Sequence, residues 1–212
     1  MARILVSGLI NLETTLRVDG FPLNYAPVHY AFDRVRSSVS GVGYNVAKAL
    51  RTLGHDVHLL SLIGRDDTAA RVRDALLRDG LPDTDVRADL AETPQSVILY
   101  DGDGRRQIHV DLKDIQERSF PAGEGSRALA ACDAAALCNI NFTRPLLALA
   151  RAAGKLVATD VHAISQLDDP YNRDFMAGSD ILFMSGDLLP TPPDEWADQV
   201  MRRYRPAVLV VA

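Results

Sequence analysis

A chain of 212 residues with 28 acidic and 23 basic side chains carries a formal charge of −5 and no basic stripe, which excludes nucleic acid and anionic membrane surfaces as expected partners. At 47% hydrophobic and 24% charged residues, the composition is that of an ordinary globular protein, enough for one sizeable α/β domain and a small appendage. No stretch approaches the ~18 consecutive apolar residues of a membrane span, and Met1 to Ile10 lacks the basic start of a signal peptide. A cytoplasmic protein is expected, with Cys132 and Cys138 as buried, reduced thiols.

Ile4–Ser7 predicts the first strand. Thr14 to Val39 is polar and turn-rich, with β-like pieces at Thr15–Val18 and Val35–Val39. Ser40-Gly41-Val42-Gly43-Tyr44-Asn45 then opens a helix, Val46–Leu53. The strand Val57–Leu62 follows, then a helix that Asp67 or Thr68 can cap, running to Arg78 and stopped by Gly80. Gln95 to Leu112 reads as a hairpin, Ser96–Tyr100 and Gln107–Val110, turning through Asp101-Gly102-Asp103-Gly104. Beyond it come the strand Ala135–Leu137 and a helix Arg144–Ala153, with Thr143 as its cap and Pro145 in its first turn. The strands Leu156–Thr159 and Ile181–Met184, the helix Asp194–Arg203 and the apolar strand Ala207–Ala212 complete the series.

Strands alternating with helices imply βαβ units and a mostly parallel sheet covered on both faces. The two β-rich interruptions are expected to pair into a small sheet, a lid of residues 14–39 and 95–112, over a core of 1–13, 40–94 and 113–212. A buried parallel strand normally leads into a crossover helix. A chain whose last residues are Val-Val-Ala is therefore expected to be incomplete.

Ligands of open parallel sheets lie beyond the carboxyl ends of the strands. There the sequence supplies Asn11 and Glu13, Gly64 and Asp66, Asn139 and Asn141, Asp160 and His162, and Ser185 and Asp187. Each alone fits a loop or a helix cap; their convergence predicts a polar pocket for a hydroxylated or charged small molecule. Gly41 and Gly43 before a helix let backbone N–H groups approach a ligand, or simply form a tight turn. Val46 stands where a dinucleotide fingerprint needs its third glycine, and no Lys-Ser/Thr follows as in a phosphate loop. That disfavours a nicotinamide-dependent oxidoreductase. Tyr25, Tyr30 and Phe32 fit either a stacking surface for a ligand or the small sheet's own core, and Trp196 fits core packing. His29, His55 and His109 have no metal-ligand spacing.

Taken in order, these segments resemble the ribokinase-like PfkB family of carbohydrate and nucleoside kinases. Ile4 to Glu13 is similar to the family's first strand and G-x-x-N-x-D. Ser40 to Gly54 is similar to its first glycine signature and following helix, and Ser61 to Asp67 to its G-x-D loop. Thr93 to Ile108 resembles the lid hairpin, and Leu156 to Asp160 the strand ending beside the sugar. The resemblance implies a three-layer α/β sandwich with a β lid, and ATP-dependent phosphorylation of a sugar or nucleoside hydroxyl with Mg²⁺. It further implies that Asn11, Glu13, Asn45 and the Gly41–Gly43 backbone hold the hydroxyls, with Asn139 and Asp160 in the same pocket, and that lids pair in a homodimer. Glu13 replaces the usual Asp, and Ser40 one signature glycine. Ser185 and Leu188 stand where the family has N-x-x-E, leaving Asp187 as the nearest acid to organise metal and nucleotide; no residue is expected as a direct metal ligand. The second signature, G-A-G-D, whose Asp is the family's base, does not occur in these 212 residues. The segment alone is therefore expected to be inactive, and the alternative is a sugar- or nucleoside-binding module with a dimerising lid.

Overall fold

Leu5 and Val6, neighbours in the first strand, are both fully buried but enter different apolar clusters, and that alternation organises the molecule. The computed structural model describes residues 1–212, the side chain of Ala122 excepted. In chain order the elements are β1 (Arg3–Ser7), β2 (Asn11–Arg17), β3 (Val35–Ser40), α1 (Val42–Thr52), β4 (Asp56–Leu62), α2 (Asp67–Arg78), β5 (Val86–Arg87), β6 (Gln95–Tyr100) and β7 (Arg106–Asp111). There follow α3 (Ala122–Ala130), β8 (Ala134–Leu137), α4 (Arg144–Ala152), β9 (Leu156–Asp160), α5 (Arg173–Gly178), β10 (Ile181–Met184), α6 (Pro193–Tyr204) and β11 (Val208–Val211).

Seven strands form one sheet in the order β11-β10-β9-β8-β1-β4-β5, every pairing parallel. Leu5, Leu60 and Leu62 pack with Leu146, Phe175 and Trp196 from α4, α5 and α6. Val6, Val57 and Leu59 pack with Tyr44, Ala47, Val72 and Leu76 from α1 and α2. The result is three layers, and β1 and β4 are apolar on both faces because both faces are covered. The mostly parallel sheet expected from the sequence is present, and Trp196 is a core residue, 2% exposed.

The four remaining strands form a separate mixed sheet in the order β3-β2-β6-β7. β2 pairs antiparallel with β3 and parallel with β6, and β6 and β7 make the expected hairpin. Its turn is built on Asp101, whose buried carboxylate accepts the N–H groups of Asp103 and Arg105, both at 3.0 Å, and pairs with the Arg105 guanidinium at 2.8 Å.

The structure corrects several local expectations. α1 begins at Val42, not Val46, because Gly41 (φ 104) turns the chain immediately before it and Gly43 is the residue that fits inside the helix there. Asp66, one residue earlier than expected, caps α2 by accepting the N–H of Ala69 at 3.0 Å. Thr143 makes no side-chain cap; its hydroxyl bonds Ser7 Oγ at 2.9 Å, tying α4 to the end of β1. Tyr25, Tyr30 and Phe32 do not close a small core: they stand exposed on the loop between β2 and β3, with Tyr30 and Phe32 stacked at 5.9 Å, and Tyr25 and Tyr30 line a separate cleft of about 880 Å³ beside Arg17, Arg34 and Leu99.

Candidate functional site

The strand order reverses at β1, with β4 and β5 on one side and β8 to β11 on the other. In an open parallel sheet such a switch point leaves a crevice at the carboxyl ends of the two strands that diverge. Here the residues leaving β1 (Leu9, Asn11, Glu13) and β8 (Cys138, Asn139, Ile140) line one cleft of about 530 Å³. α1 contributes Gly41, Val42 and Asn45 from its first turn, where N–H groups lack intrahelical partners. The small sheet closes the opposite wall with Ser96, Ile98, Ile108 and Val110.

The placement follows from β register. Asn11, Glu13 and Thr15 share one face of β2, and the cross-strand rows put Ser38 and Ser96 beside Glu13, and Ile98 beside Thr15. Asn11 is 3% exposed; its amide donates to Ser96 Oγ at 3.0 Å while its buried Oδ1 has no partner. The half-buried Glu13 carboxylate makes no hydrogen bond or ion pair among the described residues. Asn45 donates to Ser40 Oγ at 3.2 Å. Unspent acceptors in a partly desolvated wall are what donor hydroxyls of a ligand require.

The floor is a hydrogen-bonded shelf. Tyr171 donates to the Asn139 carbonyl at 2.9 Å and receives the Gln116 amide at 3.0 Å, while Asn139 Nδ2 donates to Asn172 Oδ1 at 2.9 Å. Arg144 stacks on Tyr171 from 5.1 Å and holds its carbonyl at 2.9 Å. Gln116 and Tyr171 went unnoticed in the sequence because both sit outside any strand or long helix, where periodicity says nothing. Ile98 and Ile108 were legible in principle, as alternate positions of the hairpin.

Of the residues singled out by sequence, Asn11, Glu13, Gly41, Asn45 and Asn139 lie together on the cleft. Gly43 lies beneath the wall, where a Cβ would stand 2.5 Å from the Gly8 carbonyl carbon. Asp160 is off the lining: its carboxylate accepts the His162 N–H at 2.7 Å, and His162 (φ 57) reaches the cleft instead. Ser185 and Asp187 are also apart from it, beyond β10, with Ser185 Oγ donating to Asp187 at 3.2 Å. A larger cleft, about 690 Å³, opens at the amino ends of the strands around Arg3, His58, Asp85 and Cys132, and none of the expected site residues falls there.

The G-x-D loop anchors the small sheet. Asp66 accepts the Thr93 N–H and hydroxyl, both at 2.8 Å, just before β6. Burial would raise its pKa, but these bonds and the Ala69 N–H outweigh it and hold the carboxyl below 3.8. The stabilisation is thus complete above about pH 4 and fades as pH falls through the depressed value. Asp66→Ala is expected to cost about 2 kcal/mol at neutral pH and to flatten the acid limb of a urea-denaturation pH profile.

Cys138 touches the cleft, but burial first, and the Asp160 charge second, push its thiol up to about 12. Burial raises Cys132 as well. Neither thiol is expected to react with a thiol-disulfide reagent in the native protein, and both on denaturation.

A three-layer parallel sheet with a smaller mixed sheet across its switch point defines a ribokinase-like fold. The family model for pfkB family carbohydrate kinases matches residues 1–174, and the chain belongs to that family. The ATP-dependent ribose-1-phosphate kinase of Halopiger xanaduensis is 29% identical over 187 residues, 86% of this chain but 61% of that protein. The chain thus spans less than two thirds of that relative's length. A microbiome-derived acarbose kinase superimposes with a TM-score of 0.84 at 25% identity, covering 99% of this chain and 69% of its own. Arabidopsis thaliana ribokinase complexed with ribose and ATP has the same fold, with a TM-score of 0.75 at 16% identity over 99% of this chain and 71% of its own.

Proposed function

We propose that this chain is the acceptor-binding part of a small-molecule kinase that uses ATP to phosphorylate a hydroxyl of a sugar or nucleoside. The observation that carries the reading is the pair of unpartnered acceptors, Asn11 Oδ1 and the Glu13 carboxylate, facing a cleft at the switch point. Asn11, Glu13 and Asn45 would take the hydroxyls, and Asn139 and the Gly41 backbone would complete the pocket. Ile98, Ile108 and Val110 offer an apolar wall to a ring. The ribose-1-phosphate of the Halopiger relative's name is one acceptor within this range.

In the complete reaction the acceptor oxygen bonds the γ-phosphorus as the bond to the ADP oxygen breaks, and the hydroxyl proton passes to a carboxylate base. In the family that base belongs to G-A-G-D, which these residues do not contain, so this segment alone is expected to bind without turnover. Ser185 and Asp187 are exposed and hydrogen-bonded to each other, and no group of three or more His, Cys, Asp or Glu among the described residues is arranged around a metal. One carboxylate suits water-mediated contact with hydrated Mg²⁺ rather than an inner-sphere cage.

The four-stranded sheet would act as the lid, and its exposed β7 edge supports lid-to-lid pairing in a homodimer. Two free thiols agree with a cytoplasmic setting, and no helix among the described residues is long and apolar enough to cross a membrane. Calorimetric titration with pentoses, hexoses and nucleosides tests the reading: saturable binding to one of them supports it, and none across the panel ends it.

A further inference from the structure

Asn172 stands where an asparagine usually caps a helix, immediately before α5, yet its side chain accepts no N–H from that helix. It is 8% exposed, and its Oδ1 instead accepts Asn139 Nδ2 at 2.9 Å, across 33 residues of chain. The loop that presents it is braced. Asp169 accepts the N–H groups of Tyr171 at 3.1 Å and Asn172 at 2.8 Å, and Arg144 bonds the Tyr171 carbonyl at 2.9 Å. Asn139 is thus gripped twice, by Tyr171 at its backbone carbonyl (2.9 Å) and by Asn172 at its side-chain nitrogen. Asn139 Oδ1, by contrast, makes no hydrogen bond among the described residues, although Asn139 lines the cleft.

Resting on the reading of this cleft as an acceptor pocket, we infer that Asn172 is a positioning residue for ligand selection. It fixes the Asn139 amide with its nitrogen in the wall and its oxygen toward the ligand, so that this side of the pocket selects a hydroxyl donor and rejects a carbonyl oxygen at the same place. An amide left free can turn over and offer either its N–H₂ or its C=O. A planar amide held at its nitrogen cannot. The same polarity recurs elsewhere on the cleft, where Asn11 gives its amide nitrogen to Ser96 and keeps Oδ1 unpartnered. Two asparagines, each with its nitrogen bound inside the wall and its oxygen free, make the pocket rich in acceptors. The bond from Asn139 to Asn172 also ties the loop before α5 to the end of β8, but that role alone predicts no coupling to ligand affinity.

The test is a double-mutant cycle read by calorimetry, with whichever pentose, hexose or nucleoside the 212-residue protein binds most tightly. Asn172→Ala is expected to weaken binding about fivefold, the scale of one neutral hydrogen bond. Asn172→Asp keeps the acceptor for Asn139 Nδ2 and is expected to stay within about twofold of the unmodified chain. In an Asn139→Ala background, Asn172→Ala is expected to change affinity by less than about twofold, because no amide remains to be oriented. A second readout needs no change at Asn172. In the free, unmodified chain the Asn139 side-chain amide, assigned by its loss in Asn139→Ala, is expected to exchange its bonded hydrogen about tenfold more slowly than an exposed asparagine. Circular dichroism confirms that each variant is folded; should Asn172→Ala not fold, Asn172→Asp and the exchange rate decide. Four results would each overturn the inference while the acceptor pocket stands: unchanged affinity in Asn172→Ala, an equal loss in the Asn139→Ala background, a fivefold loss in Asn172→Asp, or an Asn139 amide that exchanges like an exposed one. Absence of any sugar or nucleoside binding by the unmodified chain removes the pocket reading and this inference with it.

Discussion

Glu13→Ala is expected to weaken acceptor binding by about 100-fold, and Glu13→Gln by about tenfold. A hydrogen bond to a charged group is worth about 1.5–3 kcal/mol, each 1.4 kcal/mol is a factor of ten, and a carboxylate can accept two hydroxyls at once. Gln keeps the shape and one acceptor but loses the charge. The same variants are expected to leave folding stability within about 0.5 kcal/mol, because Glu13 bonds to nothing else among the described residues. That split separates a ligand-binding residue from a structural one. Equal affinity in all three proteins, measured by calorimetry, would remove Glu13 from the site.

Gly43→Ala is expected to have the opposite signature, a loss of about 3 kcal/mol or more in stability. A Cβ there would lie 2.5 Å from the Gly8 carbonyl carbon and 2.8 Å from its Cα, so backbone would have to move. Gly8 has no room to retreat: its own Cβ position is 2.5 Å from Cys138 Sγ and 2.9 Å from the Gly43 Cα. The crossing of β1's exit over the first turn of α1 depends on both glycines, and Asn11 and Asn45, which flank it, both line the cleft. Gly123 in α3 provides the contrast. Nothing lies within 4 Å of its Cβ position, so Gly123→Ala is expected to stabilise by about 0.5–1 kcal/mol through helix propensity. Urea midpoints moving apart in these directions confirm the account; a tolerated Gly43→Ala contradicts it.

The parallel sheet was legible because short, mostly apolar runs such as Val57–Leu62 and Ile181–Met184 alternate with helical segments, and the glycines after Arg78 and Ala153 mark where helices stop. β5, with two residues, and the six-residue α5 were invisible, since neither is long enough to establish a period. Asn11 and Glu13 looked like loop residues after β1. In the structure they begin β2, because three residues suffice to carry the chain from one sheet to the other. The glycine signature pointed to a ligand, but the two glycines differ in role: Gly41 turns the chain at φ 104, and Gly43 admits the neighbouring backbone. Asp160 illustrates the limit of reading strand ends. The residue at the carboxyl end of β9 spends its carboxylate on the next turn, and the neighbour two positions on faces the cleft.

The most direct measurement is amide chemical-shift mapping of the protein titrated with its best-binding sugar, phosphosugar or nucleoside. Perturbations gathered on residues 9–13, 40–45, 96–98, 108–112, 139–140 and 162 are the predicted result. Perturbations gathered instead around Arg3, His58, Asp85 and Cys132, at the amino ends of the strands, would place the ligand in the larger cleft and contradict the assignment of the switch-point cleft as the acceptor site.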